Sequence, residues 1–358
     1  MAWGPVLIFI AAMLWATDAP FRFFLTKTLD SNFIVLAEHA VNMLLVFPFI
    51  VRGWSEIKNL TWKQWLVIFV IGIGASAIAT ILFTKSFSYM NPSVAIVLQK
   101  LQPLIAISLA VLLLKENTGK RFWLWAGVAL FGAYVISFPN FKPQLFTGET
   151  WDPHAIGVLL ALGAATLWGA GTVLGRYLLQ NNSSFPDSSG FSSTDPFRDP
   201  SRLTPHTSAI PLIENTYDRK YFLDSEGNKE PLRFQTLTAL RFLVAFLFLI
   251  VLNIRSNTWE TVLSLSAKDI LFIVIIAITS GFTALYIYYR GLQTTKASIA
   301  TLAELGFPFL AVIVNAAALG FYLKPMQIAG MLLLLFAVLK LTRLNRYDSP
   351  AEPIPVPQ

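Results

Sequence analysis

"NPSVAIVLQKLQPLIAISLAVLLLKEN", residues 91–117, is apolar almost throughout, yet Lys100 stands in its middle beside Gln99, Gln102 and Pro103. A lysine near the centre of a membrane span costs about 2.5–3.5 kcal/mol on insertion scales. Either the stretch is not in a membrane, or Lys100 faces something other than lipid. The stretch is long enough to span, since about 20 predominantly apolar residues suffice. It also recurs. Residues 85–111 align without a gap on 290–316 at an offset of 205, pairing Ser93 with Ser298, Ala95 with Ala300, Pro103 with Pro308 and Ala106 with Ala311.

The rest of the chain agrees with a membrane. Hydrophobic residues make up 55% of 358 and charged residues 13%, about half the charge of a soluble domain. Ten apolar runs qualify as spans, at roughly 4–24, 32–51, 65–84, 92–114, 121–138, 154–178, 235–253, 269–289, 297–319 and 326–342. The start lacks a basic segment and a small-x-small cleavage site, so it reads as a first span and not as a removed signal. With the N-terminus inside, one face carries eighteen Lys and Arg and the other seven, leaving Lys100 and Arg241 within spans. Cytoplasmic loops hold the basic excess, so both termini are expected in the cytoplasm of a cell that carries the protein in its plasma or inner membrane. The net charge of +7 is scattered between apolar runs, which offers nucleic acid no basic face.

Further matches extend the repeat. "AAMLWA" (11–16) matches "AATLWG" (164–169) at an offset of 153, setting Trp15 against Trp168, and Gly127 matches Gly330 at an offset of 203. The jump between offsets locates one insertion in the second half. The reading is an all-α polytopic membrane protein of ten transmembrane helices in two five-helix repeats. An odd number of helices inverts one repeat relative to the other, a pattern of secondary transporters. The domains expected are 3–140, then 153–345 interrupted by a cytoplasmic insertion at 180–234, then a disordered proline-rich tail at 346–358. The insertion is rich in Ser, Pro and Asp and cannot build a core, although "YFLDSEGNKEPLRF" would suit a short hairpin.

The early "LW" in helices 1 and 6, the mid-helix proline in helices 4 and 9, and "LLLKENTGKRFWLWAG" with Glu116 and Gly127 resemble the EamA family of the drug/metabolite transporter superfamily. The resemblance spans both repeats and not the insertion. It implies a ten-helix carrier, often an exporter, of amino acids, metabolites or drugs. The chain departs from the family at Glu38, where an arginine matching Arg241 would stand. It also departs at "GFYLKP", which replaces a glutamate at the end of helix 9, and at "ATDAP" after the first "LW".

The polar residues within spans are the candidates for chemistry. Proline lacks an N–H, so Pro103 is expected to free the carbonyl of Gln99 and Pro308 that of Glu304. Gln99, Lys100, Gln102 and Glu304 are thereby candidate substrate-binding residues at a midplane cavity; the alternative is that Lys100 pairs structurally with Glu304 or Glu38. Trp15 and Trp168 suit substrate contact or plain packing. Asp18 and Arg22 are four apart on one helical face, with Pro20 between them, and read as an interfacial pair or a gate. Glu38 and Asn42 share a face, with His39 adjoining, and Glu38 and His39 are candidates for ion coupling. Arg241, Lys85 and Arg290 read as anchors near span ends.

Enzyme motifs are missing. There is no H-E-x-x-H, no Walker sequence and no cysteine, and the three histidines are far apart, so no catalytic residue, metal or cofactor is expected. "GAGTVLG" (169–175) has the wrong spacing for a dinucleotide loop, and Gly171 and Gly175 read as close helix packing. The expected partners are a small-molecule solute, the lipid bilayer and a proton or sodium ion for coupling. The function expected is secondary transport by alternating access, most simply export. Two rivals remain: a membrane-embedded enzyme or lipid-handling protein, and a scaffold acting through the 180–234 loop.

Overall fold

The computed structural model describes residues 4–105, 108–109, 120–180, 232–254, 258–292 and 306–347. Glu304, Glu116, most of the 180–234 insertion and the tail from 348 lie outside them, and with them the expected pairing of Lys100 with Glu304.

The described chain is almost wholly helical. In order run α1 (Gly4–Ala16), α2 (Asp18–Leu25), α3 (Ser31–Arg52), α4 (Trp54–Lys58), α5 (Trp62–Val70), a π-helical segment (Ile71–Ile78), α6 (Ala79–Ser86), α7 (Pro92–Leu98) and a 3-10 turn (Gln99–Leu101). There follow α8 (Lys120–Ser137), α9 (Pro153–Gln180), α10 (Phe234–Asn253), α11 (Thr258–Leu263) and α12 (Ala267–Ile276). A second π-helical segment (Ala277–Thr283), α13 (Ala284–Leu292), α14 (Gly306–Leu319) and α15 (Pro325–Tyr347) complete the order. Six of these, some joined end to end, are long and apolar enough to cross a membrane: Gly4–Leu25, Ser31–Arg52, Trp62–Ser86, Pro153–Gly175, Phe234–Asn253 and Ala267–Tyr288. Their outer surface is apolar, with Leu44, Leu66 and Val251 among the most exposed side chains, as suits a lipid solvent.

Lipid tails are as apolar as leucine, so helices in a bilayer hold together by close packing and small residues. Gly132 of α8 and Gly330 of α15 show this. A Cβ on Gly132 would lie 2.8 Å from the Leu334 nitrogen, and one on Gly330 would lie 3.0 Å from the Gly132 oxygen. Gln327 Nε2 donates to the Ile136 carbonyl at 3.0 Å across the same contact. Gly127, matched to Gly330 by sequence, has open space around it. Gly171 packs on Ala75 as expected of close packing, whereas Gly175 meets nothing.

The two π segments start at residues 71 and 277 and end at 78 and 283, which is the 205-residue offset of the repeat to within one position. Both are rich in small residues, and each lays a glycine against a neighbouring helix. Gly72 lies on Val244 and the Arg241 carbonyl of α10, and Gly281 lies on Asn42 of α3. π turns are rare and gather at functional sites.

Outside the spans, β1 (Phe146–Thr147) and β2 (Thr150–Trp151) form a hairpin that turns on Gly148 at φ +67°. Glycine adopts that left-handed conformation without steric cost. Asp152 then caps α9, accepting from the Ala155 N–H at 3.3 Å and from Thr147 Oγ1 at 2.9 Å. Those bonds, the Thr147 one foremost, hold its carboxyl below the usual aspartate range.

Candidate functional site

Two polar groups sit one helical turn apart on α3. The first is centred on Arg22. The chain breaks at Thr17 ahead of Pro20, and α2 then carries Asp18 and Arg22 on one face. Arg22 is 3% exposed. Its Nη2 meets Asp18 Oδ2 at 3.2 Å, and its Nη1 donates to Glu38 Oε2 at 3.0 Å and to Thr84 Oγ1 at 2.9 Å. Ser280 Oγ lies 3.2 Å from Asp18 Oδ2 and 2.9 Å from the Ile276 carbonyl. The Asp18–Arg22 pair is therefore buried and reaches Glu38, where the sequence left an interfacial pair open. It joins α2, α3, α6 and the second π segment.

The second group is Asn42 with His39. Asn42 is fully buried, and neither its Nδ2 nor its Oδ1 has a hydrogen-bond partner. His39 Nδ1 lies 2.9 Å from the Val35 carbonyl, which can only accept, so Nδ1 carries the proton. Nε2 is then an acceptor in the neutral ring, and it too is buried without a partner. Burying a polar group unpaired costs roughly 1–3 kcal/mol.

Beside this group lies a narrow cleft of about 20 Å³, room for about one water, between α3, α10 and the second π segment with α13. Phe49, Phe234, Phe242, Phe282 and Tyr286 line it. Phe49 and Phe282 are near parallel, 6.2 Å apart at 21°, and Phe282 and Tyr286 are 6.1 Å apart at 23°. Phe242 also touches the His39 ring, 5.4 Å between centroids.

The residues around Lys100 behave differently from expectation in one respect. Pro103 does remove the N–H that would reach Gln99, but the helix tightens into the 3-10 turn and the Gln102 N–H takes the Gln99 carbonyl. No carbonyl is freed there. The unpaired atom is instead the Gln99 side-chain oxygen, buried without a partner. Lys100 Nζ lies 4.6 Å from the ring centroid of Phe307, a cation–π contact with α14. Pro308 is buried one residue on, and Gly169 lies against the Gln102 carbonyl. Trp168 packs on Phe83, 5.1 Å between rings. Trp15 Nε1 donates to the Ser280 carbonyl at 3.0 Å, and its ring tilts on Tyr288. Arg241, expected near a span end, lies well inside α10 and donates to Ser76 Oγ of the first π segment at 2.8 Å. Sequence reasoning did not assign Asn42 a site role, nor did it find Phe307 or the aromatic cleft.

Buried polar groups in an apolar helical bundle accord with a membrane transporter of small metabolites, and the comparisons with known proteins give that class. The chain belongs to the EamA-like transporter family, whose profile matches residues 2–138 and 228–343. It is 27% identical to the riboflavin transporter ImpX of Fusobacterium nucleatum over 96% of this chain and 98% of that one. It is 26% identical to the uncharacterized inner membrane transporter YhbE of Escherichia coli over 33% of this chain and 36% of that one. A crystal structure covering 97% of this chain and 99% of its own shares the fold, with a TM-score of 0.56 at 15% identity.

Proposed function

We propose that the protein is a secondary transporter of riboflavin or a closely related planar heteroaromatic metabolite. The observation that carries this is the end-to-end similarity to a riboflavin transporter, and the cleft walled by five aromatic rings supports it. Ten spans in two inverted five-helix repeats, with both termini cytoplasmic, are the architecture on this reading. The placement of the two π segments at the repeat offset supports it. Alternating access then works by one repeat rocking against the other.

Coupling to a proton or sodium ion rests on a charge count. Arg22 faces two carboxylates, Asp18 and Glu38, so carboxylates outnumber the guanidinium in the bonded group, with His39 and Arg241 the other titratable or charged side chains near it. A proton on either carboxylate, or a sodium ion beside them, supplies a counter-charge.

The test is transport by the purified full chain in proteoliposomes. Riboflavin should cross faster than in empty vesicles, and an imposed proton or sodium gradient should drive accumulation. Loading the solute inside or outside reads the direction, for which export is the working expectation. No acceleration with riboflavin on either side overturns the solute assignment. A flux indifferent to both gradients overturns the coupling.

A further inference from the structure

Three observations converge on one place in the molecule. Asn42 is fully buried with both atoms of its carboxamide unpaired. His39, one turn away on the same face, leaves a buried acceptor at Nε2. The aromatic cleft begins one turn beyond Asn42 at Val46, and its rings Phe242 and Phe282 adjoin His39 and Gly281. Gly281 is also the residue that gives Asn42 room, since a Cβ there would lie 2.8 Å from Asn42 Nδ2.

A free carboxamide presents one donor and one acceptor side by side, in a plane. Its natural complement is a cyclic amide or imide edge, where a ring N–H stands next to a ring carbonyl. Side-chain amides read the edges of nucleic-acid bases in this bidentate way. We propose that Asn42 is the recognition point for such an edge, and that His39 Nε2 accepts a further hydrogen bond from the same ligand. The near-parallel rings Phe49, Phe282 and Tyr286 offer stacking surfaces for the flat remainder of the ligand once the narrow cleft widens in the transport cycle. This deepens the flavin reading and rests on it, because the pyrimidine-like end of a flavin carries an imide of this kind.

A buried carboxamide that no other group of the protein pairs is costly to keep. A helix that needed only packing at position 42 would gain from leucine there, whereas an unpaired amide is kept where a ligand completes it. A lipid-facing or solvent-facing reading of Asn42 is excluded by its burial.

The experiment uses the full chain in detergent, with binding read from quenching of flavin fluorescence. The probes are riboflavin and 3-methylriboflavin, whose imide nitrogen carries a methyl group and no hydrogen. Wild type should bind riboflavin about tenfold or more tightly than the methylated probe. Asn42→Leu should bind riboflavin about tenfold or more weakly, lose the preference, and melt at or above the wild-type temperature. Asn42→Asp keeps the acceptor for the imide N–H but loses the donor to the ring carbonyl, so it should weaken both probes while keeping the preference for riboflavin. Phe282→Leu should weaken both probes alike and leave their ratio unchanged. Equal affinity of wild type for the two probes overturns the assignment of Asn42 whatever the variants do. A preference that survives Asn42→Leu overturns it as well. Binding of neither probe to wild type overturns the flavin reading itself, and this assignment with it.

Discussion

Glu38 and Asn42 stand one turn apart on the same buried face of α3, and they are treated in opposite ways. Glu38 is tied to Arg22 at 3.0 Å, and that guanidinium is in turn tied to Asp18 and Thr84. Asn42 has no partner at either atom. A buried charge is tolerated only when paired and hydrogen-bonded, so the cluster around Arg22 holds helices together. A buried amide without protein partners costs the fold stability. On the reading proposed above, the difference separates what the bundle needs to stand from what it holds ready.

Breaking the paired side should have the largest effect. Arg22→Met leaves Asp18 and Glu38 facing each other in an apolar interior, and should cost about 3–5 kcal/mol. A steep fall in the melting temperature of the detergent-solubilised protein is expected, with partial recovery in Arg22→Met combined with Glu38→Gln. A melting curve like wild type would mean that the cluster is not a structural tie.

On the unpaired side, Gly281→Ala adds a Cβ that would meet Asn42 Nδ2 and Oδ1 at 2.8 and 2.9 Å. The π segment must shift or the amide must move, at about 1–3 kcal/mol. A melt measured beside riboflavin binding should show affinity falling more than stability, because the amide is the part displaced. A drop in stability with unaltered affinity would place Asn42 away from the ligand.

Trp15 links the two sides, donating to the carbonyl of Ser280, whose neighbour is Gly281. Trp15→Phe keeps the ring and loses the bond, for about 1 kcal/mol. Its effect on melting should fall between wild type and Gly281→Ala, and equality with Arg22→Met would show that the π segment belongs to the paired cluster.

The smallest effect lies outside the spans and serves as a reference for both. The Asp152 carboxyl titrates below its ordinary range. Its contribution is therefore complete above the ordinary aspartate pKa and is lost as pH falls through the lowered one. Thr147→Val removes the leading hydrogen bond and should raise that titration, read by NMR of the carboxyl carbon, with transport at neutral pH unchanged. An Asp152 titration that stays put would assign its stabilisation to the Ala155 and His154 N–H groups instead.

Much of this was legible in the sequence, and particular residues show where legibility stops. The i, i+4 spacing of Asp18 and Arg22 states a shared face outright, as does Glu38 with Asn42. That Arg22 reaches across to Glu38 depends on how α2 docks on α3, which no spacing within either helix encodes. The proline at 103 announced an irregular backbone but not its remedy. A 3-10 closure and a freed carbonyl both follow from a missing N–H, and only the observed Gln102 N–H distinguishes them. The π segments left a trace as clusters of small residues at equivalent places, "IGIGASAI" and "AITSGFT", too generic to name in advance. Lys100 was conspicuous for its charge, while its partner Phe307 looked like any apolar residue, since a ring face has no sequence signature.

The meeting of Gly132 with Gly330 has a mechanical consequence. Two backbones in contact, with a side-chain amide of one hooked on a carbonyl of the other, cannot slide or roll without collision. On the alternating-access reading proposed above, helices α8 and α15 would be the stator against which other helices swing. Wear on that bearing would be felt as lost stroke before it was felt as lost grip on the cargo.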